Sequence, residues 1–277
     1  MDLWRLCFDD TEEFIRFYFS KKYKDENTLV YRDRQGDAVA ALQMPLYPMT
    51  FAGTLLQTGY ISGACTHPLA RARGIMTKLL QEAFAVMRKR DVPVSTLIPA
   101  NDWLYGYYEK MGYAAIFDFS PEHYTILAPP VSEHYRVEAF RDEALLTDEV
   151  FRYFEDAMLR RPCCIQHDRE DFNTIMEDLR ISEGALLVAY NREDHLVGMA
   201  FAELRGNHVL VKDWLYDSGE VKQALLWGIM IRLDTAEIFC RSLPTGKNDE
   251  HRGMARILDV EQVLRLYAVR YPDLYLV

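Results

Sequence analysis

The strongest chemical signal in the chain is the run Tyr60-Ile61-Ser62-Gly63-Ala64-Cys65-Thr66-His67-Pro68-Leu69-Ala70-Arg71-Ala72-Arg73-Gly74-Ile75-Met76. A strand pattern runs into a short basic loop that contains glycine, and the loop opens a helix. The start of a helix exposes backbone N–H groups at the positive end of its dipole. That arrangement binds anions and suits a pyrophosphate. At Gly74 no side chain blocks the approach of a phosphate to the backbone. Arg71 and Arg73 add positive charge, and the N–H groups of Ile75 and Met76 follow directly.

A second pattern lies further along. Asn101 is followed, after six residues, by Tyr108-Glu109-Lys110-Met111-Gly112-Tyr113. The interval from Gly74 to Tyr108 holds one helix, one strand and one short helix. Tyrosines can act as proton donors in a site or fill a core with their hydroxyls satisfied. Other chemistries find less support. Cys65 is a small residue on a buried strand, with no His or Asp patterned beside it. Cys163-Cys164 lacks metal-ligand spacing, and the seven histidines form no zinc motif, so no metal is expected. His67 reads as a surface or phosphate-side residue rather than as a base.

The elements that must position these residues follow from periodicity. Asp9-Asp10-Thr11 caps a helix expected to reach about Lys24. A hairpin covers Thr28–Arg32 and Ala38–Met44, with its turn at Asp33–Gly36. Strands are predicted over Gly59–Cys65 and Val94–Ile98, and helices over Gly74–Arg90 and Trp103–Met111. Tyr113–Phe119 and His123–Leu127 read as further strands. Ala128-Pro129-Pro130 breaks the pattern and marks a boundary. The second half repeats the order loosely, with helices at 141–159 and 169–180. A hairpin (Leu186–Tyr190, Leu196–Glu203), a strand (Val209–Leu215), a helix (220–233) and a strand (Ile238–Ser242) follow. An internal duplication is the expectation. The tail reads as a strand at Met254–Val260 and a helix start at Glu261–Tyr267. Tyr275-Leu276-Val277 looks like a strand that stops abruptly, either pairing with the existing sheet or continuing into a third domain.

Length and composition bound the classes. The 277 residues suit two lobes, and 49% hydrophobic with 27% charged residues is globular. The net charge of −10 argues against a nucleic-acid partner. The basic run Arg88-Lys89-Arg90 complements a helix end. An odd count of five cysteines and no signal peptide or apolar span of membrane length point to a cytoplasmic protein without a membrane partner.

The loop and the tyrosine segment together resemble the GCN5-related N-acetyltransferases (GNAT). Their acyl-CoA loop reads Arg/Gln-x-x-Gly-x-Gly/Ala, here Arg71-x-x-Gly74-x-Met76, with Met in place of a small residue. The tandem pattern and Met254–Glu261 further resemble the enhanced-intracellular-survival (Eis) type. That resemblance implies an α/β (α+β) fold of tandem GNAT-like lobes, each a mixed, mostly antiparallel sheet flanked by helices. It implies an acetyl-CoA-binding lobe over 1–128, a degenerate second lobe over 131–250, and the start of a sterol-carrier-like domain over 251–277. It also implies acetyl transfer to a primary amine, either a small polyamine or aminoglycoside-like molecule or a lysine side chain, in an assembly that can be homo-oligomeric.

The resemblance implies that backbone groups of Ala64, Cys65 and Thr66 hold the pantetheine and the thioester oxygen. Arg71, Arg73, Gly74, Ile75 and Met76 would hold the pyrophosphate, and Asn101 belongs to the second motif. The thiolate acid is Tyr108 in the general superfamily pattern and Tyr113 in the Eis-type pattern. Leu55–Pro68 contains no acidic residue, so the base lies elsewhere or acts through water. In the Eis type it is the C-terminal carboxylate of the third domain. Asp25, Glu26 and Asp102 can bind a cationic acceptor or serve as capping and solvated charges. In the second lobe, Asp217-Ser218-Gly219 stands where a phosphate loop would be and brings no arginine, so one cofactor per chain is expected.

Overall fold

The structure is a computed structural model that describes residues 1–51, 53–125, 134–142 and 147–270. The expected break at Ala128-Pro129-Pro130 and the end strand Tyr275-Leu276-Val277 lie outside them. In chain order the elements are α1 (Asp2–Cys7), α2 (Glu12–Lys21), β1 (Thr28–Arg32), β2 (Ala38–Gln43), β3 (Leu46–Phe51), β4 (Thr54–Tyr60) and β5 (Ser62–Thr66). Next come α3 (Ile75–Lys89), β6 (Val94–Leu97), α4 (Trp103–Glu109), β7 (Ala114–Thr125), β8 (Arg136–Phe140), α5 (Asp148–Leu159) and β9 (Cys163–Ile165). The rest are α6 (Arg169–Ile181), β10 (Ala185–Tyr190), β11 (Leu196–Arg205), β12 (His208–Tyr216), α7 (Gly219–Arg232), β13 (Glu237–Ser242), β14 (Glu250–Ile257) and α8 (Val260–Arg270).

The chain forms two compact units. The first takes Met1–Phe117, Arg161–Gln166 and the chain from His251 onward, and the second takes Asp118–Arg160 and His167–Glu250. The stretch from 251, which the sequence sets apart, therefore contributes β14 and α8 to the first unit. There β14 pairs antiparallel with β6, Met254 opposite Leu97.

In the first unit, β1 and β2 form the expected hairpin, with Thr28 opposite Gln43. The strand predicted over Gly59–Cys65 is longer and comes in two pieces. β4 pairs with β3, and β5 pairs with β2. β3 escapes the sequence pattern because Pro48 sits inside it and reads as a strand breaker. It nonetheless pairs with β4 on one side and β9 on the other. One face of this sheet packs against α3. Thr11 caps α2 by accepting the Phe14 N–H, and α3 keeps its apolar residues on one stripe. Leu79, Leu80, Ala83, Phe84 and Met87 meet Leu42, Ile61, Leu97 and Met254 in one core. The opposite face carries Met49, Leu56, Val94 and Ala255, packed with Val263 of α8.

The second unit orders its strands β8-β10-β11-β12-β13-β7. Neighbours run antiparallel except β12 and β13, which are parallel and joined by α7. The first unit uses the same device, a parallel pair β4/β6 with α3 between. The repeated hairpin–strand–helix–strand order is thus present as tertiary structure in both units.

Phe84 lies at the centre of the first core. Its ring meets Tyr113 at 5.9 Å, and the Arg256 guanidinium covers it at 4.4 Å. Phe84→Ala is expected to cost about 3–5 kcal/mol of stability, seen as a lower denaturant midpoint. A loss below about 1 kcal/mol would show that this core re-collapses around the gap.

Candidate active site

The site is organised by a parting of strands. β4 and β6 pair in parallel through Thr58–Val94, Gly59–Ser95 and Tyr60–Thr96. The Ile61 N–H then donates to the Thr96 carbonyl at 2.8 Å. Beyond that bond the chain changes partner, and β5 pairs with β2. Gly63, with φ of +57°, sits at a register irregularity between β2 and β5. It is a left-handed bulge that only glycine adopts cheaply. A Cβ there would also collide with the Trp4 ring. The bulge swings β5 away from β6 and opens a wedge between them.

The expected backbone donors lie on the β5 side of this wedge. The His67 N–H donates to the Val39 carbonyl at 2.8 Å, so by strand alternation the backbone groups of Thr66 face away from β2. The Thr66 carbonyl accepts from Arg71 Nε at 3.1 Å and from Cys7 Sγ at 3.4 Å. Ala64 adjoins the bulge and is half-buried. Cys65 is buried, and burial pushes its thiol up to about 12, which keeps it protonated.

The loop is built for close approach. His67 Nδ1 accepts the Leu69 N–H at 3.2 Å, so this imidazole caps the short 3-10 turn Pro68–Ala70. Ala72 and Gly74 both have positive φ, +59° and +72°. Gly74 is the N-cap of α3 and offers no side chain to its first N–H groups. The space a Gly74 Cβ would occupy is open. The side chains of Ile75 and Met76 turn toward the core, where both pack against the α3 cluster. The methionine that departs from the loop pattern therefore lies beside the core, and its side chain does not fill the glycine cradle.

The tyrosines separate by their hydroxyls. Tyr113 bonds Ser95 Oγ at 2.7 Å, and that oxygen reaches the Gly59 carbonyl at 3.2 Å. Since the carbonyl only accepts, Ser95 donates to it and Tyr113 donates to Ser95. Burial raises the Tyr113 pKa, with Ser95 opposing. Tyr108 packs edge-on against Tyr107 and Tyr113. Its hydroxyl has no hydrogen-bond partner among the described residues. Burial pushes Tyr108 up to about 12, helped by Tyr107 and Tyr60. Asn101 is exposed, and its carbonyl accepts the Leu104 N–H at 3.0 Å.

Two groups went unread in the sequence. Tyr60 ends β4 at the parting, and burial pushes it up to about 12, with Arg252 opposing. Tyr18 donates to Ser62 Oγ at 2.8 Å, linking α2 to the start of β5. Tyr60 stood first in the loop motif, which was the available signal. Asp25 and Glu26 belong elsewhere. Arg90, at the far end of α3, donates to Asn27 Oδ1 at 2.9 Å beside them. At 1.5 Å per residue, that end of α3 is roughly 20 Å from Gly74.

The second unit fills the corresponding place. β12 pairs with β13 only through Val209–Val211, then continues along β11. Trp214 Nε1 donates to Ser242 Oγ at 3.2 Å across the widening strands. Lys222 bonds both Glu122 oxygens at 2.6 and 2.9 Å and lies 4.7 Å from the Trp214 ring. Burial raises the Glu122 pKa, but the bonds from Lys222 and Tyr124 outweigh it and hold the carboxyl below the usual range. Ser218 Oγ caps α7 by accepting the Val221 N–H at 3.3 Å, and Glu220 adds negative charge to that turn. This helix start is already satisfied and repels anions.

Comparison with known proteins agrees with this geometry. Residues 1–116 match the family described as acetyltransferase (GNAT) domain. No curated protein sequence matches the chain. Among solved structures, a conserved protein from Enterococcus faecalis V583 described as a probable N-acyltransferase superposes with a TM-score of 0.75 at 16% identity, covering 95% of this chain and 70% of that one. A GCN5-related N-acetyltransferase from Anabaena variabilis gives 0.69 at 16% identity, covering 95% and 70%. Eis1 from Mycobacterium abscessus gives 0.63 at 13% identity, covering 94% and 74%. Residues 1–116 thus match the GNAT acetyltransferase domain model, and the fold of the chain is that of these solved structures. No helix among the described residues is long and apolar enough to cross a membrane.

The phenols give a pH signature. An unfolded tyrosine releases its proton near 10, whereas folded Tyr60 and Tyr108 hold theirs to about 12. Stability is unaffected below pH 10 and is lost as pH rises toward 12. At pH 11 each tyrosine should cost about 1 kcal/mol relative to pH 8. Urea unfolding at the two values checks this, and Tyr108→Phe should flatten the fall. An equal fall in that variant would contradict the assignment.

Proposed function

We propose that the chain transfers an acetyl group from acetyl-CoA to a primary amine by direct attack in a ternary complex. The observation that carries this reading is the strand parting between β5 and β6, with the uncapped, glycine-opened start of α3 at its side. The open space at Gly74 and the exposed Arg71 and Arg73 fit a pyrophosphate. The wedge fits an extended pantetheine arm between strand edges. Coenzyme A supplies the activated thioester, and the chain supplies position, backbone donors and a proton.

In this reading Tyr108 protonates the leaving thiolate. Its uncommitted hydroxyl and high pKa keep a proton ready. Tyr113 is the alternative acid, but its hydroxyl is bound to Ser95, which favours a supporting role. Amine deprotonation runs through water, since the strand before the loop has no carboxylate. The second unit, with its filled cleft, takes no cofactor. The tandem organisation supports an Eis-like acceptor, a small polyamine or aminoglycoside-like amine or a lysine side chain. The absent strand carboxylate favours a second reading, a non-catalytic acyl-CoA-binding module. The five free cysteines suit a cytoplasmic setting.

Calorimetric titration with acetyl-CoA should show about one site per chain, and Gly74→Asp should abolish it by setting a carboxylate against the pyrophosphate. Undiminished binding in Gly74→Asp removes the loop assignment. In a thiol-release assay with a panel of amines, Tyr108→Phe should slow turnover by about 100-fold. Tyr113→Phe should act mainly on stability. Binding without thiol release across the panel selects the non-catalytic reading.

A further inference from the structure

Trp103 is 72% exposed, the most exposed aromatic among the described residues. Its ring has no hydrogen-bond, stacking or ionic partner among them. It stands at the first position of α4, directly after the strand-to-helix connection that leaves β6.

The topology fixes which end of the sheet this is. β4 and β6 are parallel, so the chain leaves the continuation of β4 and leaves β6 at the same end. Both α3 and α4 begin there, outside the carboxyl ends of the strands, where α/β sheets take their ligands. Thr77, in the first turn of α3, bonds the Tyr107 hydroxyl at 3.2 Å. Trp103 lies four residues before Tyr107, on the same helical face and about 6 Å nearer the start of α4. Helical side chains lean toward the helix N-terminus, which carries the indole further in that direction. Trp103 thus stands at the start of a helix that begins at the same end of the sheet as the Gly74 loop and touches the first turn of α3.

We propose that Trp103 is the platform on which the adenine ring of coenzyme A stacks. The inference rests on the acyl-CoA reading above and adds the residue that holds the nucleotide end. A diphosphate at Gly74, flanked by Arg71 and Arg73, leaves the attached nucleoside outside the wedge. A purine has a large π-face and needs a flat apolar surface there. An exposed indole supplies one without a hydrogen-bond code.

The test compares two donors by calorimetry, acetyl-CoA and acetyl-4′-phosphopantetheine, which keeps the thioester, the arm and one phosphate but lacks the nucleotide. The native protein should bind acetyl-CoA more tightly. Trp103→Ala should shrink that preference by about tenfold, in line with base–aromatic stacking. Trp103→Phe should keep most of it, and thermal melts should show all three proteins folded. An unchanged preference in Trp103→Ala overturns the proposal. So does an equal loss on both donors, which would place Trp103 at the arm or in an acceptor or partner surface. If the native protein binds neither donor, the acyl-CoA reading itself fails and this inference falls with it.

Discussion

The Ile61 N–H to Thr96 carbonyl bond is the last link of a parallel ladder, and the first unit is organised around what happens after it. Two strands that have run together separate, and the chain beyond β4 takes β2 as its new neighbour. Buried backbone groups must be paired, so β5 leaves the ladder only where a second partner is at hand. β2 is that partner, while β14 lines the other edge of β6 along the same residues that face β4. The parting therefore depends on a hairpin from the beginning of the chain. Gly63 supplies the backbone conformation for the turn, and Trp4 occupies the place its side chain would need.

Three tyrosines of the first unit are removed from water, Tyr60 at the parting and Tyr108 and Tyr113 in the core beside α3. Burial of Tyr60, Tyr108 and Tyr113 favours their neutral forms, so each remains a proton donor far above neutral pH. What distinguishes them is hydrogen bonding. The Tyr113 proton is committed to Ser95 and through it to Gly59, which braces the ladder just before the parting. Tyr108 has no such commitment. Phenols shifted in the same direction thus differ in the groups their hydroxyls meet.

The second unit repeats the crossover with different residues at the helix start. It keeps the parallel pair and the crossover helix, yet the helix start is capped by Ser218 and the strands are bridged by Trp214, Lys222 and Glu122. An ion pair within an aromatic frame satisfies the polar groups that a ligand would otherwise meet. The parallel pair and crossover helix recur in the two units, but the helix start differs by particular residues, an open Gly74 with flanking arginines in one unit and a capping Ser218 with Glu220 in the other.

Much of this was legible in the chain. The hairpins, α3 and the strand–loop–helix at Thr66–Ile75 follow from periodicity and glycine placement, because those signals are local. So does the lack of arginine near Asp217-Ser218-Gly219, which already argued against a second anion site. Local signals could not show β3, where Pro48 reads as a breaker although its neighbours on both sides hold it in a sheet. They could not show that the segment from 251 returns to pair with β6, since register across about 155 residues is decided by tertiary packing. Nor could they rank Tyr108 and Tyr113, five residues apart and alike in type. The partner of each hydroxyl comes from a distant strand or from none, and that is a property of the folded molecule alone.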